Sequence, residues 1–207
     1  MKNIIISPKI ILDKNNQINF SLEKNWIDYF YSKNINLISI YQFPIQVGKL
    51  KLLKPAGLIL HGGNDIYFNK KDKINILRKK MDNELLKFAL RKKIPILGVC
   101  FGFQFIADFY GVKMSYSSKH AKTKHNIDIG EFIKNKKKET IRVNSFHRYV
   151  VKNLPSQFKY LSYCNDGSIE MALSKKNKIM VTMFHPERKN VDQIKIDKLI
   201  LNHLKIK

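Results

Sequence analysis

Ile94-Pro95-Ile96-Leu97-Gly98-Val99-Cys100-Phe101-Gly102-Phe103-Gln104 is the stretch whose reading decides the fold. Its first half is a short apolar run, the pattern of a strand buried on both faces. Its second half opens a helical repeat at Phe101, Phe105, Ile106 and Phe109. Between them lies a Gly-x-Cys-x-Gly elbow. Such a turn is too tight for side chains at its flanking positions, and it lifts the central residue to the carboxyl edge of a sheet at a helix N-terminus. There the helix dipole and unpaired N–H groups favour a thiolate, and can lower a thiol pKa from about 8.5 toward neutrality. Cys100 is therefore the candidate nucleophile.

On either side of the elbow, strands and helices alternate. Residues 3–7 read as a strand, and residues 22–33 as a helix with Leu22, Trp26, Ile27, Tyr29 and Phe30 at helical spacing. Ile35–Ile40 is a β-branched run, hence a strand, and Ala56–Leu60 is another, ending abruptly at His61-Gly62-Gly63. Residues 72–92 carry Ile74, Leu77, Met81, Leu85, Phe88 and Ala89 at intervals of three and four, the strongest helical signal in the chain. Alternation up to about residue 110 implies a parallel sheet with right-handed crossovers. Residues 113–184 are strand-like pieces between polar, Lys-rich loops, and residues 190–205 form an amphipathic helix. The expected fold class is α/β: a central, mostly parallel sheet flanked by helices, with a strand-rich second half. Residues 1–207 are expected to form a single domain.

Composition narrows the function classes. Hydrophobic residues are 44%, a normal globular share. The 39 Lys and Arg against 16 Asp and Glu leave a net charge of +23, which invites a polyanion partner. The distribution argues otherwise. The basic residues fall in short scattered groups, Lys70-Lys71, Arg78-Lys79-Lys80, Arg91-Lys92-Lys93, Lys136-Lys137-Lys138 and Lys175-Lys176, with no stripe or tail. They read as solvated faces. No nucleic-acid reader motif is present, so no nucleic-acid partner is expected. Two cysteines cannot build a disulfide framework or a Cys-based zinc site. Ile4-Ile5-Ile6 stops at Ser7-Pro8-Lys9, too soon for a signal peptide, and reads as a first core strand. No run approaches the roughly 18 apolar residues of a membrane span. A soluble cytoplasmic protein with reduced thiols and no membrane partner is the expectation.

A cysteine nucleophile needs a base and a group that orients the base. Met183-Phe184-His185-Pro186-Glu187 follows the strand-like Ile179–Thr182 and supplies both. Residues two apart on an extended segment face the same way, so Glu187 can hold one imidazole nitrogen of His185 and leave the other for Cys100. His61-Gly62-Gly63-Asn64-Asp65 ends an earlier strand, where paired glycines let backbone N–H groups face a ligand. Those groups and the Phe101 amide could form an oxyanion hole. His120 and His125 lie among lysines that would repel a cation, so no metal is expected there; Cys164 reads as a small core residue.

The three elements in order, Gly57–Asp65, Gly98–Gln104 and His185-Pro186-Glu187, resemble the class I glutamine amidotransferase superfamily over nearly the whole chain. The resemblance implies a flavodoxin-like core and Cys100, His185 and Glu187 as a catalytic triad. It implies oxyanion donors at Gly63 and Phe101, and roles for Gly62 and Gln104 near the glutamyl group. Val143-Asn144-Ser145-Phe146-His147 and Asp166-Gly167-Ser168-Ile169-Glu170 are similar to the γ-glutamyl hydrolase branch, the peptidase C26 type. That similarity implies that Asn144, Ser145, Phe146 and His147 hold the glutamyl amino and carboxylate groups, and that no metal or cofactor takes part. Two departures stand out. His61 precedes the glycine pair where the family often has another residue, and the chain is shorter than many family hydrolases.

The implied reaction is hydrolysis of a γ-glutamyl amide through a glutamyl thioester, releasing L-glutamate. In size and composition the chain also resembles hydrolases of bacterial capsule phosphoramidate synthesis, which release cytidine diphosphoramidate from a nucleotide-linked γ-glutamyl amidate. A leaving group bearing a pyrophosphate suits a basic site mouth, with Lys119, Lys122, Arg148 and Arg188 as candidates and arginine the better bidentate partner. The partner is then a small-molecule γ-glutamyl substrate; the oligomeric state stays open. Two alternatives stand beside this reading: a glutaminase subunit supplying ammonia to a synthase, and a basic nucleic-acid-binding protein on an inactive scaffold.

Overall fold

The structure, a computed structural model, describes residues 1–67, 71–130, 132 and 139–206; of the basic groups, Lys70 and Lys136–Lys138 lie outside the described residues. The first half runs β1 (Asn3–Ser7), β2 (Lys9–Leu12), β3 (Ile18–Ser21), α1 (Lys24–Tyr31), β4 (Asn36–Ser39), α2 (Val47–Leu52), β5 (Gly57–Leu60), α3 (Lys73–Lys92), β6 (Ile96–Val99) and α4 (Phe101–Phe109). The second runs β7 (Ser115–Tyr116), β8 (Ala121–Asp128), β9 (Thr140–Phe146), β10 (Tyr149–Val150), β11 (Tyr160–Tyr163), β12 (Ile169–Ser174), β13 (Ile179–Thr182) and α5 (Gln193–His203).

One sheet organises the molecule, in the order β11-β12-β13-β6-β5-β1-β4. The strands β4, β1, β5, β6 and β13 are parallel; β12 and β11 extend the sheet antiparallel. Taken in chain order, the parallel strands follow the flavodoxin-like sequence 2-1-3-4-5. The expected α/β class is therefore found, with its strand-rich second half. In such a sheet ligands bind beyond the carboxyl ends of the strands. The turns after β1, β5, β6 and β13 all open on that edge.

Alternation along the strands sorts the core into two layers. Ile5, Leu58 and Leu60 pack with Met81, Leu85 and Phe88 of α3 and Phe105 of α4. Ile4, Ile6 and Ile59 face the other way, against Trp26 and Phe30 of α1 and Ile196 and Leu199 of α5. Strands buried on both faces read as continuous apolar runs, which is why β1, β5, β6 and β13 are legible. Two elements carry no comparable pattern: the hairpin of β2 and β3, and the single short helix α2. The strands β8 and β9 form a separate antiparallel ribbon rather than joining the sheet.

One of the basic groups departs from the expected solvated face. Arg78 is fully buried on α3, paired with Asp82 at 2.9 Å. Cys164 also differs from its expected place: it is half-buried in the turn after β11 rather than in the core.

Candidate active site

Cys100 occupies the junction of β6 and α4 with φ 51° and ψ −104°. That is a costly conformation for a residue with a Cβ, and it persists only when its surroundings enforce it. They do so through hydrogen bonds and close packing. The Cys100 N–H donates to the Thr182 carbonyl at 2.8 Å, and its own carbonyl accepts from Gln104 N–H at 3.0 Å. A Cβ on Gly102 would lie 1.8 Å from the Leu60 carbonyl oxygen, and one on Gly98 would lie 2.7 Å from Ile106 Cδ1. The elbow is thus pressed against β5 so tightly that only glycine fits.

His185 follows β13, the neighbour of β6. Its N–H donates to Asn144 Oδ1 at 2.9 Å, and its carbonyl accepts from Asn144 Nδ2 at 2.9 Å and Asn190 Nδ2 at 3.0 Å. The imidazole Nδ1–H points to Glu187 Oε1 at 2.6 Å, and the ring interacts with Cys100 beside it. Burial pushes the His185 pKa down, but the Glu187 carboxylate and the Cys100 contact outweigh it, and the value is pushed up to about 10. Gly62 lies against both partners: a Cβ there would be 2.9 Å from His185 Cε1 and 3.3 Å from Cys100 Cβ.

Beneath the glycine turn sits Arg78. Its Nη2 donates to the His61 carbonyl at 2.7 Å and to Ser7 Oγ at 3.0 Å, and Nη1 donates to Asn64 Oδ1 at 3.3 Å. The guanidinium also lies 4.9 Å from the centre of the Phe101 ring. One buried cation therefore ties the turn after β5 to the start of α4. His61 is buried against Trp26, and burial, with Arg78 and His185 nearby, holds its pKa well below the usual histidine range. His61 is a neutral packing residue.

A cleft of ≈ 540 Å³ opens over Cys100 and His185, within the range of small-molecule sites. Of the residues singled out in the sequence, Gly63, Gln104, Phe146, His147, Arg148 and Arg188 line it as well. Gly63 has φ +109°, so its peptide takes an orientation that glycine permits. Phe101 is buried at the first turn of α4, directly after Cys100. Gln104 donates to the Tyr149 carbonyl at 3.1 Å.

Other expected site residues take different positions. Asn144 does not line the cleft; its side chain is occupied in holding the His185 backbone. Ser145 is buried and donates to the His120 carbonyl at 2.7 Å. Lys119 and Lys122 do not line the cleft. Arg188 does, but Glu23 already engages it at 2.9 and 3.0 Å, and it lies 4.8 Å from the Phe146 ring centre. Sequence reading misses Lys9, Glu23 and Tyr149, which also line the cleft. Lys9 comes from the hairpin that carries no periodic signal. Glu23 precedes α1, where a reader has no reason to look for a site residue. Among the described residues, one group could hold a metal ion: His120, His125, His147 and Glu170.

Residues 15–195 match the family described as glutamine amidotransferase class-I. The γ-glutamyl-CDP-amidate hydrolase of Campylobacter jejuni subsp. jejuni serotype O:2 is 33% identical over 136 residues, 64% of this chain and 62% of that protein. A glutamine-hydrolyzing GMP synthase of Campylobacter lari is 28% identical over 158 residues, 72% of this chain and 27% of that enzyme. The chain thus spans less than two thirds of the length of these relatives. A glutamine amidotransferase from Thermotoga maritima shares the fold, with a TM-score of 0.65, 16% identity, and coverage of 99% of this chain and 82% of that one.

Proposed function

The chain belongs to the class I glutamine amidotransferase family, and on that premise we propose that it is a cysteine-dependent hydrolase of a γ-glutamyl amide. The observation that carries the reading is the Glu187–His185 hydrogen bond, with the His185 imidazole beside Cys100 and both His185 and Cys100 lining the cleft. Cys100 attacks the glutamyl δ-carbonyl as thiolate, and a C–S bond replaces the C–N bond. His185, carrying its proton at neutral pH, passes it to the departing nitrogen. The neutral imidazole then takes a proton from water as that water attacks the thioester, releasing glutamate and restoring the thiolate. Glu187 fixes the His185 tautomer and stabilises the imidazolium. The amides of Gly63 and Phe101 receive the developing oxyanion, where one donor is worth on the order of 100- to 1000-fold in rate. Gln104, Phe146 and His147 form the wall that meets the glutamyl group. Asn144 serves the reaction through His185.

The proposed leaving group is nucleotide-linked, as in the C. jejuni relative, with γ-glutamyl-CDP-amidate giving glutamate and cytidine diphosphoramidate. Support from this chain is a cleft mouth bearing Lys9, Arg148 and Arg188, of which Arg188 is shared with Glu23. Arg148 and Lys9 are therefore the first candidates for the diphosphate. The GMP synthase relatives favour a second reading, a glutaminase that feeds ammonia to a synthase. One screen separates them: glutamate release from γ-glutamyl-CDP-amidate and from free glutamine, by wild type and Cys100→Ala. The hydrolase reading expects turnover of the nucleotide-linked amide, little of glutamine, and none by the variant. Undiminished turnover by Cys100→Ala would sink both readings, and activity confined to glutamine would favour the second.

A further inference from the structure

The β8–β9 ribbon meets the main sheet at a cluster of four side chains that the proposed chemistry does not require as a group. His120 and His125 bracket the start of β8, His147 follows β9, and Glu170 lies on β12. One ligand atom from each lies within 4.8 Å of all the others. The outer nitrogens of two of these rings are already committed. His120 Nε2–H donates to Asp166 Oδ2 at 2.8 Å, and His147 Nδ1–H donates to the Tyr149 carbonyl at 3.1 Å. Both acceptors lack hydrogens, so these tautomers turn the lone pairs of His120 Nδ1 and His147 Nε2 inward. They face Glu170 Oε1 at 3.4 and 3.3 Å, and His125 Nε2 lies 2.9 Å from His120 Nδ1.

The centre thus gathers three imidazoles around one carboxylate, with His125 Nε2–H donating to the His120 Nδ1 lone pair in this tautomer. Glu170 is fully buried, and its carboxylate meets His120 Nδ1 and His147 Nε2 only at 3.4 and 3.3 Å, longer than a well-formed hydrogen bond. A buried carboxylate so loosely held is costly unless a cation accompanies it. We propose that His120, His125, His147 and Glu170 bind one Zn²⁺ ion in a closed structural site that clamps the β8–β9 ribbon to β12. Zinc held by nitrogen and oxygen at about 2.0–2.1 Å has tetrahedral ligand–ligand edges of about 3.3–3.4 Å. The His120–Glu170 and His147–Glu170 separations already match those edges, and the other ligand atoms lie within 4.8 Å. Asp166 on the far nitrogen of His120 completes the carboxylate–histidine–metal relay typical of such sites. The neighbouring lysines do not oppose the ion as their sequence position implies. Lys119, Lys122 and Lys124 are exposed, and Lys124 lies on the opposite face of β8 from its neighbour His125.

The test uses the full chain in a Cys100→Ala background, so that zinc cannot settle on the elbow thiol. After chelation and dialysis the protein is titrated with Zn²⁺ alone, and in parallel with Co²⁺ followed by visible absorption. The expected result is one equivalent bound, a rise in Tm on loading, and the intense visible bands of tetrahedral Co²⁺. His125→Ala and Glu170→Gln should each lower the affinity at least tenfold. Asp166→Asn, a mild change at an exposed residue, should lower it by about 10- to 100-fold without unfolding the chain. Absence of a bound equivalent would overturn the proposal and leave protonated imidazoles as the neutralising charge. So would a Co²⁺ spectrum indifferent to all three variants, or one lost instead on His185→Ala. None of these outcomes depends on amide turnover, so failure here and failure of the hydrolase reading are separately visible.

Discussion

The imidazole of His185 is held at three points: Glu187 at Nδ1, Cys100 at the ring's other side, and Asn144 on the backbone. Its pKa of about 10 lies above the ~6.5 of a free histidine, so the folded state binds this proton more tightly than the unfolded chain does. The stability it contributes is complete below about pH 6.5 and is lost as pH rises through about 10. Urea midpoints of wild type should therefore fall between those limits more steeply than those of His185→Gln. On the proposed mechanism, the same proton sets the alkaline limb of kcat/KM. Glu187→Gln removes the main force raising the pKa and should move that limb down by more than one pH unit; an unmoved limb would show that another group carries the proton. Gly62 makes a related argument by space. With its added methyl 2.9 Å from His185 Cε1, Gly62→Ala should displace the ring and lower kcat/KM on the order of 100-fold, while far-UV circular dichroism stays native.

At the level of elements, α3 does more than cover the sheet. Its Arg78 reaches the end of β1, the turn after β5 and the first residue of α4 from a fully buried position. Arg78→Met leaves Asp82 buried without its cation, and should destabilise the fold by about 3–5 kcal/mol in urea unfolding. Arg78→Met with Asp82→Leu removes both charges and should recover much of that loss. A single variant as stable as wild type would mean that the pair contributes nothing. The sequence does not show this role. The helical spacing of Ile74, Leu77, Met81 and Leu85 is plain, but Arg78 sits in an Arg-Lys-Lys run that looks like a solvated edge. Burial of one arginine depends on what it meets across the sheet, and no local pattern carries that information. The elbow is legible for the opposite reason. The clash that forces glycine at 102, with the Leu60 carbonyl, is absolute, and so leaves a mark in the sequence.

Across the whole molecule, legibility follows burial on two faces. The central parallel strands declare themselves as apolar runs; the β2–β3 hairpin, with Leu12 and Ile18 exposed, does not, and Lys9 escapes notice with it. The cluster around His120 and His125 is not legible in sequence because its other members, His147 and Glu170, are distant in the chain and only the fold brings them together. The same architecture predicts a gradient of local stability. Amides of β1, β5, β6 and β13, paired on both sides, should exchange hydrogen slowest, and those of β4, β11 and the β8–β9 ribbon earlier. Hydrogen-exchange mass spectrometry at neutral pH reads this directly, and uniform exchange across the sheet would contradict it. Zinc loading should slow the ribbon selectively.

The position of β13, late in the chain yet inserted between β6 and β12, bears on how the protein is made. A ribosome delivers the elbow cysteine long before it delivers β13 and the His185 that follows it. Until that strand slots in, β6 has a bare flank and the thiol lacks the imidazole that would rouse it. On the proposed mechanism, a chain still being synthesised is thus chemically quiet, and reactivity arrives together with the last central strand, as a single event of closure.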